Sequence, residues 1–143
     1  MRHFSSFTPL QTFQARAMNS ASIPFIIGIF LGGGTGSVLR HLLGIWLNGR
    51  STLPLGTLAA NLAATAILAW VTLRLTERWP DGHVLPAALA IGLCGGFSTF
   101  STFSADNHRF IMEGQWSWAV ANIGINVLGC LITFACIAAA MRR

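Results

Sequence analysis

The chain has 143 residues and a net charge of +5, a length that suits one domain. It is 53% hydrophobic and 9% charged, against about 25% charged in soluble domains, which is too little charge to cover the surface of a soluble protein this short. All nine basic residues are Arg, placed singly or in pairs, and they form no stripe that would suit nucleic acid.

Residues 1–22, MRHFSSFTPLQTFQARAMNSAS, are mixed and polar. They hold no apolar run of secretory-signal length and are expected to form an N-terminal tail. Met18 is a second candidate start within it, and the N-terminal mass of the purified protein distinguishes the two. The rest of the chain, 23–143, is expected to form a four-helix transmembrane domain. A bilayer-spanning helix needs about 20 apolar residues, and four runs qualify: 23–46, 53–73, 84–105 and 115–141. The joining segments LNGRST, RLTERWPDGH and DNHRFIMEG are short and carry turn or charge signals. Trp46, Trp70, Trp79, Trp116 and Trp118 fall near the span ends, as an interfacial aromatic belt requires.

With four spans, both termini and the second loop share one side of the membrane. That side holds Arg2, Arg16, Arg74, Arg78, Arg142 and Arg143, against Arg50, Arg109 and the span-end Arg40 on the other. The excess favours both termini inside. A start at Met18 removes Arg2 and Arg16, and a bias so small lets the chain insert either way.

In the first span, Gly28, Gly32 and Gly36 lie four apart on one face, a stripe that permits close helix approach within a subunit or between subunits. Gly124 and Gly129 add small residues to the fourth. Cys94, Cys130 and Cys136 are an odd set in apolar runs, without CxxC spacing, and read as buried free thiols.

Polar residues inside a span need a partner or an aqueous cavity. Asn61, in PLGTLAANLAA, suits either an interhelical hydrogen bond or a donor facing a permeating anion. Arg40, followed by His41, either snorkels to the interface or lines a vestibule that attracts anions. Asn126 and Thr133 share one face of the fourth span, with helix adhesion and path lining both open.

The third span contains GGFSTFSTFS, residues 95–104. Gly92, Gly95 and Gly96 weaken a helix at mid-membrane, and irregular backbone at that depth survives only when buried in protein or lining a cavity. A break frees carbonyls, which are hard oxygen ligands for a small cation. Beyond it, Phe100 and Phe103 stack at i, i+3, and ring edges are electropositive. The hydroxyls either face an ion or bond back to the preceding turn. No Asp or Glu lies within the expected spans, since Glu77, Asp81, Asp106 and Glu113 fall in loops or at span ends. That argues against a proton-coupled cation transporter, and a small four-helix multidrug or proton-coupled transporter is the alternative reading. A non-transporting membrane scaffold is a third. No acid, base and nucleophile cluster points to an enzyme.

Taken together, LGGGTGSVLRHLLG, PLGTLAANL and GLCGGFSTFSTFSADN resemble the small fluoride channels known as Fluc or CrcB, in order and spacing over about residues 25 to 130. The resemblance implies an all-α integral membrane fold with a broken third helix. It implies an antiparallel dual-topology homodimer in the bacterial inner membrane that exports cytoplasmic fluoride passively and so confers fluoride resistance. It implies a fluoride pore lined by Asn61, Phe100 and Phe103, with a hydroxyl track drawn from Thr99, Ser101, Thr102 and Ser104, and Arg40 in the vestibule. It further implies a structural sodium ion at the dimer interface, held by the backbone carbonyls of Gly95 and Ser98 from each subunit. Ser98 replaces the usual Thr, and Asn126 and Cys130 lie where the fourth span usually offers Ser. The Arg bias leaves room for a heterodimer with an oppositely inserted homologue.

Overall fold

The computed structural model describes residues 22–49, 51–75 and 83–141. The expected N-terminal tail lies outside the described residues save for Ser22, as do Arg50, Glu77, Arg78, Trp79, Asp81, Arg142 and Arg143.

Most of the described residues are helical, and among them four helices are long and apolar enough to cross a membrane. Helix α1 is Ile23–Leu47, with Pro24 in its first turn, where a missing N–H costs nothing. Helix α2 is Leu55–Trp70, continued by a π-helical turn Val71–Leu75. Helix α3 comprises Val84–Ala87, the π-helical Ala88–Leu93 and Cys94–Phe97. Helix α4 is Phe100–Met112, and α5 is Trp116–Met141. Segments α3 and α4 together form the third span, Val84–Met112, of 29 residues.

That span passes the expected end at Ala105 by seven residues, 106–112, because Asp106, Asn107, His108 and Arg109 remain helical. At about 1.5 Å per residue, 29 residues exceed a hydrocarbon core of about 30 Å. A polar end therefore reaches the interface without a loop. The chain turns at Gly114, whose φ of 72° is left-handed and favours glycine.

Helix α1 packs along α3, α2 packs against α5 and α1, and α4 packs against α5. The contact between α1 and α3 is backbone against backbone. A Cβ at Gly32 would collide with the Ala88 carbonyl, one at Gly36 with the Leu93 carbonyl, and one at Gly96 with the Gly33 carbonyl. At Gly92 it would stand 2.7 Å from the Ile29 carbonyl oxygen. The glycine stripe of α1 thus serves contact within one chain, and Gly92 and Gly96 are its counterparts on α3. This corrects the expectation that those two glycines mark a break: Cys94–Phe97 is helical, and the irregular backbone follows at Ser98 and Thr99. Gly129 approaches the Leu62 side chain, while Gly124 has open space.

The small core joins Ala60, Ala64, Cys94 and Phe97, with Leu43, Ala63, Ile67 and Leu68 packed around it. The outer faces are apolar. Phe30, Leu31, Ile45 and Trp46 on α1 and Trp116, Val120, Leu131 and Ile132 on α5 are all exposed. Large apolar side chains turned outward on spanning helices face lipid or another chain.

Gly32→Ala and Gly36→Ala should each destabilise the protein in detergent by more than about 2 kcal/mol, because backbone cannot yield to a methyl group. Gly34→Ala, with nothing within 4 Å, should be neutral or slightly stabilising. Chemical denaturation followed by tryptophan fluorescence measures the contrast.

Candidate functional site

The site is built around the two residues between α3 and α4. Ser98 has φ −73° and ψ 156°, and Thr99 has φ −152° and ψ 117°, both extended. Three polar bonds hold them in that form. The Thr99 N–H donates to Asn61 Oδ1 at 2.9 Å. The Thr99 hydroxyl caps α4 by accepting from the Thr102 N–H at 3.1 Å. The Ser98 N–H still donates to the Cys94 carbonyl at 2.9 Å, closing α3.

These bonds have a consequence for the carbonyls. A continuous helix would aim the Thr99 N–H at the Gly95 carbonyl and the Thr102 N–H at the Ser98 carbonyl. Both donors are diverted, one to Asn61 and one to the Thr99 hydroxyl. Gly95 is exposed, with nothing within 4 Å of a Cβ placed on it. The Ser98 carbonyl accepts a long 3.5 Å bond from Arg40 Nη1. These two carbonyls fit a small hard cation by donor type and by their diverted helical partners. Two oxygens from one chain leave such an ion under-coordinated. Among the described residues, no His, Cys, Asp or Glu cluster offers a rival metal site.

The three phenylalanines spaced by three have three different settings. Phe97 lies in the core. Phe103 is buried, at 9% exposure, and Phe100 is 80% exposed. The interruption shifts the helical phase between Phe97 and Phe100, so they cannot share a face. Phe100 and Phe103 keep theirs, with ring centroids 5.7 Å apart and planes tilted by 45°, within the range of favourable aromatic pairs.

The hydroxyls divide as well. Thr99 is buried and lies within 3.2 Å of Ser101 Oγ, and donates to Thr102 Oγ1 at 3.1 Å. Ser101 and Thr102 are exposed. The Ser104 hydroxyl bonds back to the Phe100 carbonyl at 2.8 Å, the local bond open to any helical Ser. Arg40, His41, Thr57, Thr99 and Thr102 line one open cavity of about 440 Å³ with Ser37, Asn48 and the apolar Ile45.

Asn61 also donates from Nδ2 to Asn126 Oδ1 at 3.1 Å. Asn126 Nδ2 donates to Asn122, to its carbonyl at 3.1 Å and its Oδ1 at 3.0 Å. Asn122 Nδ2 donates to Asn107 Oδ1 at 3.0 Å, and Asn107 Nδ2 to the Phe103 carbonyl at 2.7 Å. Thr57 Oγ1 donates to Asp106 Oδ2 at 3.1 Å. Asn107, Asn122 and Thr57 are site neighbours that sequence reasoning passed over. The i, i+4 spacing of Asn122 and Asn126 inside an uncharged span was the available signal. Asn107 was hidden by an expected helix end two residues earlier.

A family model described as "CrcB-like protein, Camphor Resistance (CrcB)" matches residues 27–139. The chain belongs to the CrcB family. Among similar proteins, the "Fluoride-specific ion channel FluC" of Cronobacter sakazakii is 43% identical over 118 residues, covering 79% of this chain and 90% of its own length. The protein of the same name from Escherichia coli O139:H28 is 43% identical over 112 residues, covering 75% and 85%. The matched region of this CrcB chain takes in the described parts of all four spanning helices except the short ends beyond residues 27 and 139.

Thr99→Val in this CrcB chain removes the cap of α4 and should cost about 1–2 kcal/mol. Ser104→Ala, which loses only a local bond on an exposed face, should stay within about 0.5 kcal/mol. Equilibrium unfolding in detergent gives both values.

Proposed function

We propose that this protein is a fluoride-selective channel that lets cytoplasmic fluoride leave passively down its electrochemical gradient. The observation that carries the reading is the family membership combined with the site at Ser98–Thr99. There, Asn61, the Phe100/Phe103 pair and a set of hydroxyls stand together with no carboxylate among them. Fluoride is small and strongly hydrated, so a path must replace its water with donors in a space narrow enough to disfavour chloride. Neutral amide and hydroxyl donors and electropositive ring edges do this without holding the anion too tightly to release it.

The residue roles follow. Asn61 has one N–H of its amide left after bonding Asn126, and that N–H is offered to the anion. Phe100 and Phe103 supply ring edges. Thr99, Ser101 and Thr102 form the hydroxyl track, and Ser104 joins it only by giving up its bond to the Phe100 carbonyl. Arg40, at the wall of the open cavity with Thr99 and Thr102, draws anions toward the site.

The path is completed by a second copy. Phe100, Ser101 and Thr102 are exposed on a single chain, and hydroxyls directed at lipid are unfavourable. Antiparallel pairing of two copies in the inner membrane covers that face, and the small Arg bias is compatible with insertion in both orientations. A heterodimer with an oppositely inserted homologue is the variant of the same assembly. Pairing also brings together the Gly95 and Ser98 carbonyls of both chains, which would hold a structural sodium ion. When bound, that ion supplies positive charge and a clamp at the dimer centre. The Ser98 carbonyl keeps a second lone pair beside its 3.5 Å contact with Arg40, and that lone pair is what it would offer the ion.

The multidrug or proton-coupled alternative lacks support from the site. Among the described residues, the acidic one near it is Asp106, which lies beyond the Phe100/Phe103 pair and whose Oδ2 accepts from Thr57 Oγ1.

Proteoliposomes loaded with potassium fluoride and opened with valinomycin should release fluoride to a selective electrode, without need for a proton gradient. Phe100→Ile and Phe103→Ile should lower the rate to that of protein-free vesicles while the purified variants keep wild-type elution. Wild-type rates in both variants would remove the rings from the path. Chloride loaded in place of fluoride should show no comparable efflux, and equal rates would reject selectivity.

A further inference from the structure

The asparagine chain from α2 to α4 has a direction. A carboxamide has a donor end and an acceptor end of nearly equal shape, so packing alone does not choose between two flips. Here the choice is made by groups with one function each. The Thr99 N–H only donates, so Asn61 must present Oδ1 to it. The Asn122 carbonyl only accepts, so Asn126 must present Nδ2 to it. Between these anchors, Asn61 Nδ2 meets Asn126 Oδ1. Turning either amide over would set N–H against N–H or oxygen against oxygen.

The remaining two residues extend the same polarity. Asn122 Oδ1 accepts a second contact from Asn126 Nδ2, Asn122 Nδ2 donates to Asn107, and Asn107 Nδ2 ends on the Phe103 carbonyl. Asn107, Asn122 and Asn126 are 6%, 2% and 4% exposed. Buried amides in a medium of low polarity hold such bonds strongly, because a mismatched or empty partner is costly. Both ends of the chain fall on the start of the third span's second half, at Thr99 and Phe103, so the ladder ties that segment to α2 and α5.

We propose that Asn126, backed by Asn122 and Asn107, is a positioning residue that fixes the direction of the Asn61 carboxamide. Through Asn61 it keeps the Thr99 N–H away from the Gly95 carbonyl and holds the interruption open. It also sets where the free N–H of Asn61 points. The backbone half of this proposal stands on the hydrogen bonds alone. The transport half rests on the fluoride path proposed above.

The test uses the full-length protein reconstituted in lipid, with Asn126→Leu, which has no acceptor for Asn61, and Asn126→Asp, whose protonated carboxyl keeps an acceptor for Asn61 and a donor for Asn122. Residue-resolved hydrogen exchange at the Thr99 amide reads the positioning directly. Fluoride efflux and the fluoride-to-chloride ratio read its effect on transport. Asn126→Leu should speed Thr99 exchange about tenfold, as expected for loss of one buried hydrogen bond, and should lower both efflux and the ratio. Asn126→Asp should restore Thr99 protection and most of the ratio, which a general loss of packing would not do. Unchanged Thr99 exchange in Asn126→Leu would overturn the proposal, whether efflux falls or not. Faster exchange with unchanged efflux and ratio would overturn its transport half. A wild-type protein with a protected Thr99 amide but no fluoride efflux would instead reject the fluoride reading and leave the positioning role supported.

Discussion

A single hydrogen bond, from the Thr99 N–H to Asn61 Oδ1, links most features of this protein. In a continuous helix that N–H would close a turn on Gly95. Given to α2 instead, it stops α3, lets Thr99 cap α4 and leaves the Gly95 carbonyl without its usual partner. The same bond commits the oxygen end of Asn61 to the backbone, so its nitrogen end is left for Asn126. Backbone irregularity at membrane depth needs such compensation, because no water is present to supply it. The described residues contain no buried side-chain polar atom without a partner.

The rest of the fold makes that bond possible. Helix α3 must approach α1 at backbone distance to stand beside α2, and the glycines at Gly32, Gly36, Gly92 and Gly96 allow it. With little hydrophobic drive between helices inside lipid, close packing of small residues and polar bonds supply the adhesion. The protein separates the two by location. Glycines hold α1 to α3, while asparagines connect α2, α4 and α5.

Much of this was legible in the sequence, for identifiable reasons. Long uncharged runs can be satisfied only as spanning helices, so the four helices followed from hydropathy. The i, i+3 pair Phe100/Phe103 was readable because both residues lie after the interruption, where the period is regular. Phe97 was not readable in the same way, since a change of phase between Phe97 and Phe100 cannot be seen in spacing. The glycines misled in one respect. Gly92 and Gly96 have the composition of a helix break, but their role is contact, and spacing alone does not distinguish a weak helix from a close one. The end of the third span was placed early because Asp106, Asn107, His108 and Arg109 look like a loop, although a helix emerging at an interface tolerates them.

By itself, the sequence determined that this is an all-α protein of four apolar spans. It also fixed where the polar groups of those spans lie, because continuous apolar runs of about 20 residues match spanning helices and not the short alternating strands of a membrane barrel. Tertiary structure alone decided what each polar group is bonded to. Asn61 meets Thr99 and Asn126, and Arg40 meets the Ser98 carbonyl, across 38, 65 and 58 residues of chain. Direction in an amide is set by the partner it faces. No property of one helix fixes that partner until the neighbouring helices have packed.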